Sequence, residues 1–167
     1  MNVPYKNSVP KIDKRATIFP TAVIAGDVTI EANVNVWYNV TVRGDMAPVT
    51  IKENTNIQDN AVVHTNTNLP TIIGRNVTVG HGAIVHAATI HDDALIGMGS
   101  IILDGAVIGE GSLVGAGTVV PPGKHVPPKT LVIGNPMKVV RELSISEQQS
   151  IKENAEHYLT LTANYQD

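Results

Sequence analysis

A six-residue aliphatic period constrains this chain more than any other feature. It begins at Ile18 and runs through Ile24, Ile30, Val36 and Val42. After three extra residues it resumes at Ile51, Ile57 and Val63, and after four more at Ile73, Val79 and Val85. One residue is then dropped, and the longest run follows: Ile90, Ile96, Ile102, Ile108, Val114, Val120. Neither a 3.6-residue helix nor an alternating hairpin ladder gives this spacing. Short strands separated by tight corners do, stacked as the coils of a parallel β-helix. Three hexapeptides make one triangular coil, and successive coils lie roughly 4.8 Å apart. The aliphatic column points inward. The three phase changes read as two corner insertions and one deletion.

The aliphatic balance agrees. The chain has 22 Val and 17 Ile against 8 Leu, and β-branched side chains suit a pleated strand better than a helix. Small or modest apolar residues recur four places after the period, as at Ala22, Val28, Val34, Val40, Ala83, Ala94 and Ala106, where a corner leaves little room. Residues 121–136 carry five prolines and are expected to end the regular coil, since proline lacks a backbone donor. Beyond them, Ser144-Ile145-Ser146-Glu147 has the spacing of a capping box. Ile151, Ala155, Tyr158, Leu159 and Tyr165 follow at near-helical intervals, which predicts an amphipathic helix over 145–165 packed back on one face. The expected architecture is an all-β solenoid: a parallel β-helix over residues 1–143, with an N-terminal lead-in and a Pro-rich end, then a C-terminal α-helix segment over 144–167.

Several function classes drop out on composition. A net charge of −3, from 12 Lys+Arg and 15 Asp+Glu, offers no basic footprint for nucleic acid. The absence of cysteine removes disulfides, thiolate metal sites, cysteine nucleophiles and any disulfide switch. The first residues lack the apolar core of a signal peptide, and no run approaches the roughly 18 residues of a membrane span. A cytoplasmic protein without membrane contact is expected. The 16% of charged residues falls well below the roughly 25% of an average chain, which points to flat faces covered in an oligomer.

Folding the hexapeptides into a prism turns sequence spacing into geometry. Val63 and Val85 are three strand steps apart, one full coil, so His64 and His86 occupy the same place one coil apart. At roughly 4.8 Å, two stacked imidazoles can converge on one ion. Arg43 follows Val42, which lies one coil below Val63, and completes the column. A second column on another face holds Gln58 and Asp59 beneath Gly80 and His81. His81 therefore cannot easily reach the ion of its own chain, and prisms packed about a threefold axis would supply it from a neighbour. A metal at a subunit interface follows. His91, His125 and His157 read as surface or corner residues.

These motifs resemble the γ-class carbonic anhydrase family. The likeness rests on V-R-G-D (Val42–Asp45), N-T-N-I-Q-D-N (Asn54–Asn60), V-V-H-T (Val62–Thr65), G-H-G-A-I-V-H (Gly80–His86) and I-G-M-G-S-I-I-L-D-G-A-V-I-G (Ile96–Gly109), and covers roughly residues 10–145. The resemblance implies a left-handed parallel β-helix, a homotrimer, and a metal between subunits held by His64 and His86 of one chain and His81 of the next. That metal would be zinc (Zn2+), or iron (Fe2+) or cobalt (Co2+) as in some members, and the substrate pair CO2 and bicarbonate. Gln58 is similar to the family glutamine that hydrogen-bonds the metal-bound hydroxide, and Asn56 to an asparagine near the CO2 pocket. Arg43 is similar to the arginine that pairs with acidic residues at the trimer interface, here Asp45 within its chain and Asp59 across it.

The chain departs from the family archetype where protons would move. Met46 stands where the archetype has a glutamate, and the loop Thr65-Asn66-Thr67-Asn68-Leu69-Pro70 is short and acid-free where the archetype carries a shuttle glutamate. A zinc carbonic anhydrase of low, buffer-dependent activity is expected. Two further functions stay open on the same site: a metal-dependent acyl-CoA thioesterase, and a non-catalytic metal-binding or assembly subunit. A hexapeptide acyltransferase is disfavoured, because its single histidine base would not need two histidines in metal register.

Overall fold

In the computed structural model, which describes residues 1–165, the chain winds into a parallel β-solenoid with one C-terminal helix. It is the left-handed β-helix of hexapeptide repeats. Most strands are only two or three residues long, because each holds one inward aliphatic residue and its immediate neighbours. The inward column of the first face is Ile24, Val42, Val63, Val85, Ile102 and Val120, all fully buried. The second face contributes Ile30, Ile51, Ile73, Ile90, Ile108 and Val126, and the third Val36, Ile57, Val79, Ile96, Val114 and Val132. Burying one such side chain is worth about 1.5–3 kcal/mol, and the repetition builds one continuous core. Ala22, Val28, Val34, Val40, Ala83, Ala94 and Ala106 fill the corners inside it.

The first two faces run together as one 12-stranded sheet, since Val23–Ile30 and Thr41–Ile51 bend around the corner between them. The third face is an eight-stranded sheet, closed at its upper edge by the antiparallel strand Lys138–Glu142. Register is set by the aliphatic column: Val85 lies over Val63, Ile102 over Val85 and Val120 over Ile102.

The corner between the second and third faces turns through left-handed residues, Asn33 (φ 59), Asn54 (φ 60), Asn76 (φ 53) and Asp93 (φ 58). Asparagine tolerates this conformation better than most residues, and here its amide adds a lateral ladder. Asn33 donates to Asn54 (3.0 Å), Asn54 to Asn76 (3.1 Å) and Asn76 to Asp93 (2.9 Å). Glycine serves a different need on the third face. A Cβ on Gly97 would stand 2.6 Å from the Ala116 nitrogen of the coil above, so only a bare backbone fits.

All three phase changes fall on the corner between the first and second faces. The three extra residues after Val42 lie within Thr41–Ile51, where pairing with the coil below jumps from Gly26↔Gly44 to Val28↔Val49. The four after Val63 form a loop closed by the Asn66↔Leu69 bridge, and the deletion after Val85 places Ala87 in a left-handed turn (φ 48).

One expectation is corrected. The Pro-rich stretch does not end the coil: Val126 pairs over Ile108 and Val132 over Val114, continuing the six-residue phase. Lower down, the residue after an inward aliphatic donates its N–H to the coil above, as Leu103 does to Val120 and Gly109 to Val126. Pro121 and Pro127 occupy that position in the topmost turns, where no further parallel coil lies above to accept. A missing donor costs nothing there.

The helix spans Ile145–Ala163, two residues shorter than expected at its C-terminal end. Its capping box forms: Ser144 Oγ accepts from the Glu147 N–H, and a Glu147 carboxylate oxygen accepts from the Ser144 N–H (2.8 Å). Ile151 and Ala155 are buried against the third face, and Tyr165, beyond the helix, still packs its ring against Phe19 and Trp37. Residues 166 and 167 of the expected segment 144–167 lie outside the described residues. Among the described residues, no helix is long and apolar enough to cross a membrane.

Candidate metal centre

The irregular corner carries the histidines. His64 and His86 end the strands Val62–His64 and Ile84–His86 and are register partners on adjacent coils. Their rings stand side by side, with His64 Nδ1 3.1 Å from His86 Nε2. Each ring has its other nitrogen on a carboxylate. His64 Nε2 lies 2.9 Å from Asp45 Oδ1, and His86 Nδ1 lies 2.5 Å from Asp104 Oδ1. Asp45 also pairs with Arg43, both carried on the extra residues after Val42. Burial alone would raise the Asp45 carboxyl, but hydrogen bonds from His64 and Arg43 outweigh it and hold Asp45 below the usual carboxylate range. Asp104 is held down by the Asn66 amide and then by His86.

His81 sits on the far side of the first face, in the second column. Its Nδ1 lies 2.9 Å from Asp59 Oδ2, and its Nε2 faces the Tyr158 hydroxyl at 3.4 Å. Burial and the Asp59 charge raise the Tyr158 phenol above its ordinary value. Gln58 is locked beneath His81. Its Oε1 accepts from the His81 N–H (3.2 Å) and its Nε2 donates to Asn56 Oδ1 (3.0 Å). Asn56 is fully buried and spends its own amide on Thr78 Oγ1, which in turn donates to Asn154 of the helix. Asn56 therefore positions Gln58 rather than lining open space. Gln58, Gly80, His81, Met98 and Tyr158 border a groove of about 390 Å³ between the helix and the third face.

The chain thus brings together His64, His86, Arg43 and Asp45 in one cluster, and His81, Asp59, Gln58 and Asn56 in another. Among the described residues, no three metal-ligating side chains gather at one point of the single chain. The donor set nevertheless fits an ion. Neutral rings that give the His64 Nε2–H and the His86 Nδ1–H to their carboxylates would keep lone pairs at His64 Nδ1 and His86 Nε2, and these two nitrogens stand 3.1 Å apart. Two nitrogens each about 2.0–2.1 Å from a tetrahedral zinc stand about 3.3 Å apart. His81, with Nδ1 on Asp59, is left with Nε2, 3.4 Å from the Tyr158 hydroxyl, as the atom that could ligate.

Sequence reasoning missed Asp104, Asn66 and Tyr158. The first had a signal: Ile102 lies one coil above Val85, so Asp104 overhangs His86 by the arithmetic that found the histidines. Tyr158 had none, because its contact with His81 depends on where the helix docks.

Comparison with known proteins gives the family. A bacterial transferase hexapeptide model (six repeats) matches residues 87–122. A probable carbonic anhydrase of Methanocaldococcus jannaschii is 48% identical over 90% of this chain and 95% of its own length. A carbonic anhydrase of Geobacillus kaustophilus is also 48% identical, over 96% of this chain and 92% of its own. The crystal structure of a hexapeptide transferase family protein from Anaplasma phagocytophilum superposes with a TM-score of 0.95 at 42% identity, covering 98% of this chain and 97% of that one. With identity at this level along nearly the whole sequence, the chain belongs to the γ-class carbonic anhydrase family of hexapeptide-repeat proteins.

Proposed function

We propose that this protein is a zinc-dependent carbonic anhydrase that hydrates CO2 to bicarbonate, working as a homotrimer in the cytoplasm. The observation that carries this reading is the pair of ring nitrogens, His64 Nδ1 and His86 Nε2, standing 3.1 Å apart, each ring backed through its other nitrogen by its own carboxylate. Such a pair repels unless a cation or proton stands between. His64 through Nδ1 and His86 through Nε2 would hold zinc from one chain, and His81 through Nε2 would complete the set from the next, leaving one position open. Iron or cobalt would suit the same three nitrogens. Zinc, when bound, supplies a water acidic enough to ionise near pH 7.

The chain's own residues then orient and desolvate. Gln58 has one amide proton on Asn56, and no acceptor among the described residues takes the other, so it can fix an oxygen near His81 without moving. Asp45 and Asp59 hold the His64 and His81 rings, Arg43 holds Asp45, and across the interface these charges would fix the register of the subunits. Met46 and the loop after His64 carry no acid, so protons leave to solvent buffer. A second reading, thioester hydrolysis at the same site, is favoured by the groove of about 390 Å³, far larger than a triatomic gas requires.

Stopped-flow CO2 hydration, with metal content determined on the same anaerobic sample, tests both. We expect turnover that tracks one metal per subunit, vanishes on chelation and rises with buffer concentration. Full metal occupancy without hydration would remove the anhydrase reading, and hydrolysis of acyl-CoA esters by that sample would install the second.

A further inference from the structure

Three carboxylates back the histidines: Asp45, Asp59 and Asp104. Asp104 comes from the regular coil above, two residues beyond the inward Ile102. Its Oδ1 takes the His86 ring at Nδ1, and its Oδ2 accepts from the Asn66 amide at 2.6 Å. Asn66 belongs to the four-residue insertion of the coil below, so three successive coils meet on one carboxylate. Its backbone is fixed as well: the Asp104 carbonyl accepts from Gly123, and the next residue, Gly105, donates to the Ala87 carbonyl beside His86. The deletion after Val85 draws His86 into a tight turn under this overhang.

We propose that Asp104, clamped by Asn66, is a positioning residue of the metal centre: it fixes the tautomer and rotation of His86 so that Nε2 faces His64. This rests on the metal reading given above. A carboxylate on Nδ1 cannot share an ion held at Nε2 of that ring, because the two nitrogens point apart, so Asp104 acts through the histidine and not as a ligand. A partner of this kind also raises the basicity of the ligating nitrogen, and its loss typically lowers metal affinity 10–100-fold. As a mere surface ion pair it would do nothing of the sort.

The test uses the full-length protein, stripped of metal and titrated with zinc against a chromophoric chelator, with the visible spectrum of the cobalt form recorded alongside. Asp104→Ala should bind zinc about 10–100-fold more weakly and change the intensity and position of the cobalt bands, at an unfolding temperature close to that of the parent. Asp104→Asn keeps an acceptor for Nδ1–H and should recover most of the affinity. Asn66→Ala, which leaves Asp104 in place but frees its second oxygen, should fall between, and it carries the test if Asp104→Ala does not fold. Parent-like affinity and cobalt spectra in Asp104→Ala and Asn66→Ala overturn the proposal while leaving the metal reading standing. A parent protein that takes up no metal overturns both.

Discussion

Two corners of the same prism differ in almost every respect. Between the second and third faces, each coil turns through one left-handed residue, and Asn33, Asn54, Asn76 and Asp93 repeat the same lateral hydrogen bond up the stack. Between the first and second faces, three consecutive coils break the period, by three extra residues, four extra residues and one missing. Those coils carry Arg43 and Asp45, His64 and Asn66, and His86. A strict repeat can only place like beside like. The metal centre proposed above needs unlike groups converging from different directions, and the phase slips bring such groups together without disturbing the inward column, which stays fully buried through Val42, Val63 and Val85. Order at one corner holds the coils in register, and the phase slips at the other bring unlike polar groups together.

That division can be tested by breaking each side separately. The largest effect is expected from His81→Ala, which should abolish metal uptake and CO2 hydration together, with the thermal unfolding and oligomeric state of the parent retained. Stoichiometric zinc in that variant, measured by elemental analysis, would count against the whole site. Asn54→Ala attacks the opposite corner, where it removes two rungs of the ladder and puts alanine at a left-handed position. Denaturant unfolding should show a loss of about 1–3 kcal/mol, while zinc affinity and turnover stay at parent values; a fall in zinc affinity would mean that the two corners are coupled.

The smallest effect concerns the helix, which is tied down by titrating groups at its start. Arg141, together with the N–H and hydroxyl of Ser144, holds the Glu147 carboxyl down to about 2 from an ordinary 4.5. A carboxyl depressed on folding stabilises above its unfolded value and loses that contribution as pH falls through the folded one. Helical circular dichroism should therefore decline modestly between about pH 4.5 and 2, with the β-signal unchanged, and Glu147→Gln should flatten that decline. An acid profile identical in parent and variant would show that the capping box does not anchor the helix.

Much of this was legible in the sequence, for a specific reason. In a solenoid, position along the chain maps linearly onto position in space, so counting by six put His64 beneath His86 and Asp59 beneath His81, where the structure has them. The same count reaches Asp104, which went unread because an aspartate two places after an aliphatic looks like any other corner residue. Val126 and Val132 also kept the period, but the prolines around them argued for its end; proline is costly only where its N–H is wanted, and that depends on a coil being overhead. Tyr158 and Asn154 were beyond reach. Helix docking is set by the match of two surfaces, which no spacing rule encodes, and it decides what meets His81 and Thr78.

Pro121 and Pro127 also bear on how long such a molecule can be. A hexapeptide stack has no inherent length, because each finished coil presents a full row of backbone groups on which another can grow, whether from the same chain or from a different one. Where the upward donors would sit, this chain has imide nitrogens, and Lys138–Glu142 folds back antiparallel over the third edge. Those few residues make the difference between a particle of fixed size and a seed for end-to-end polymers.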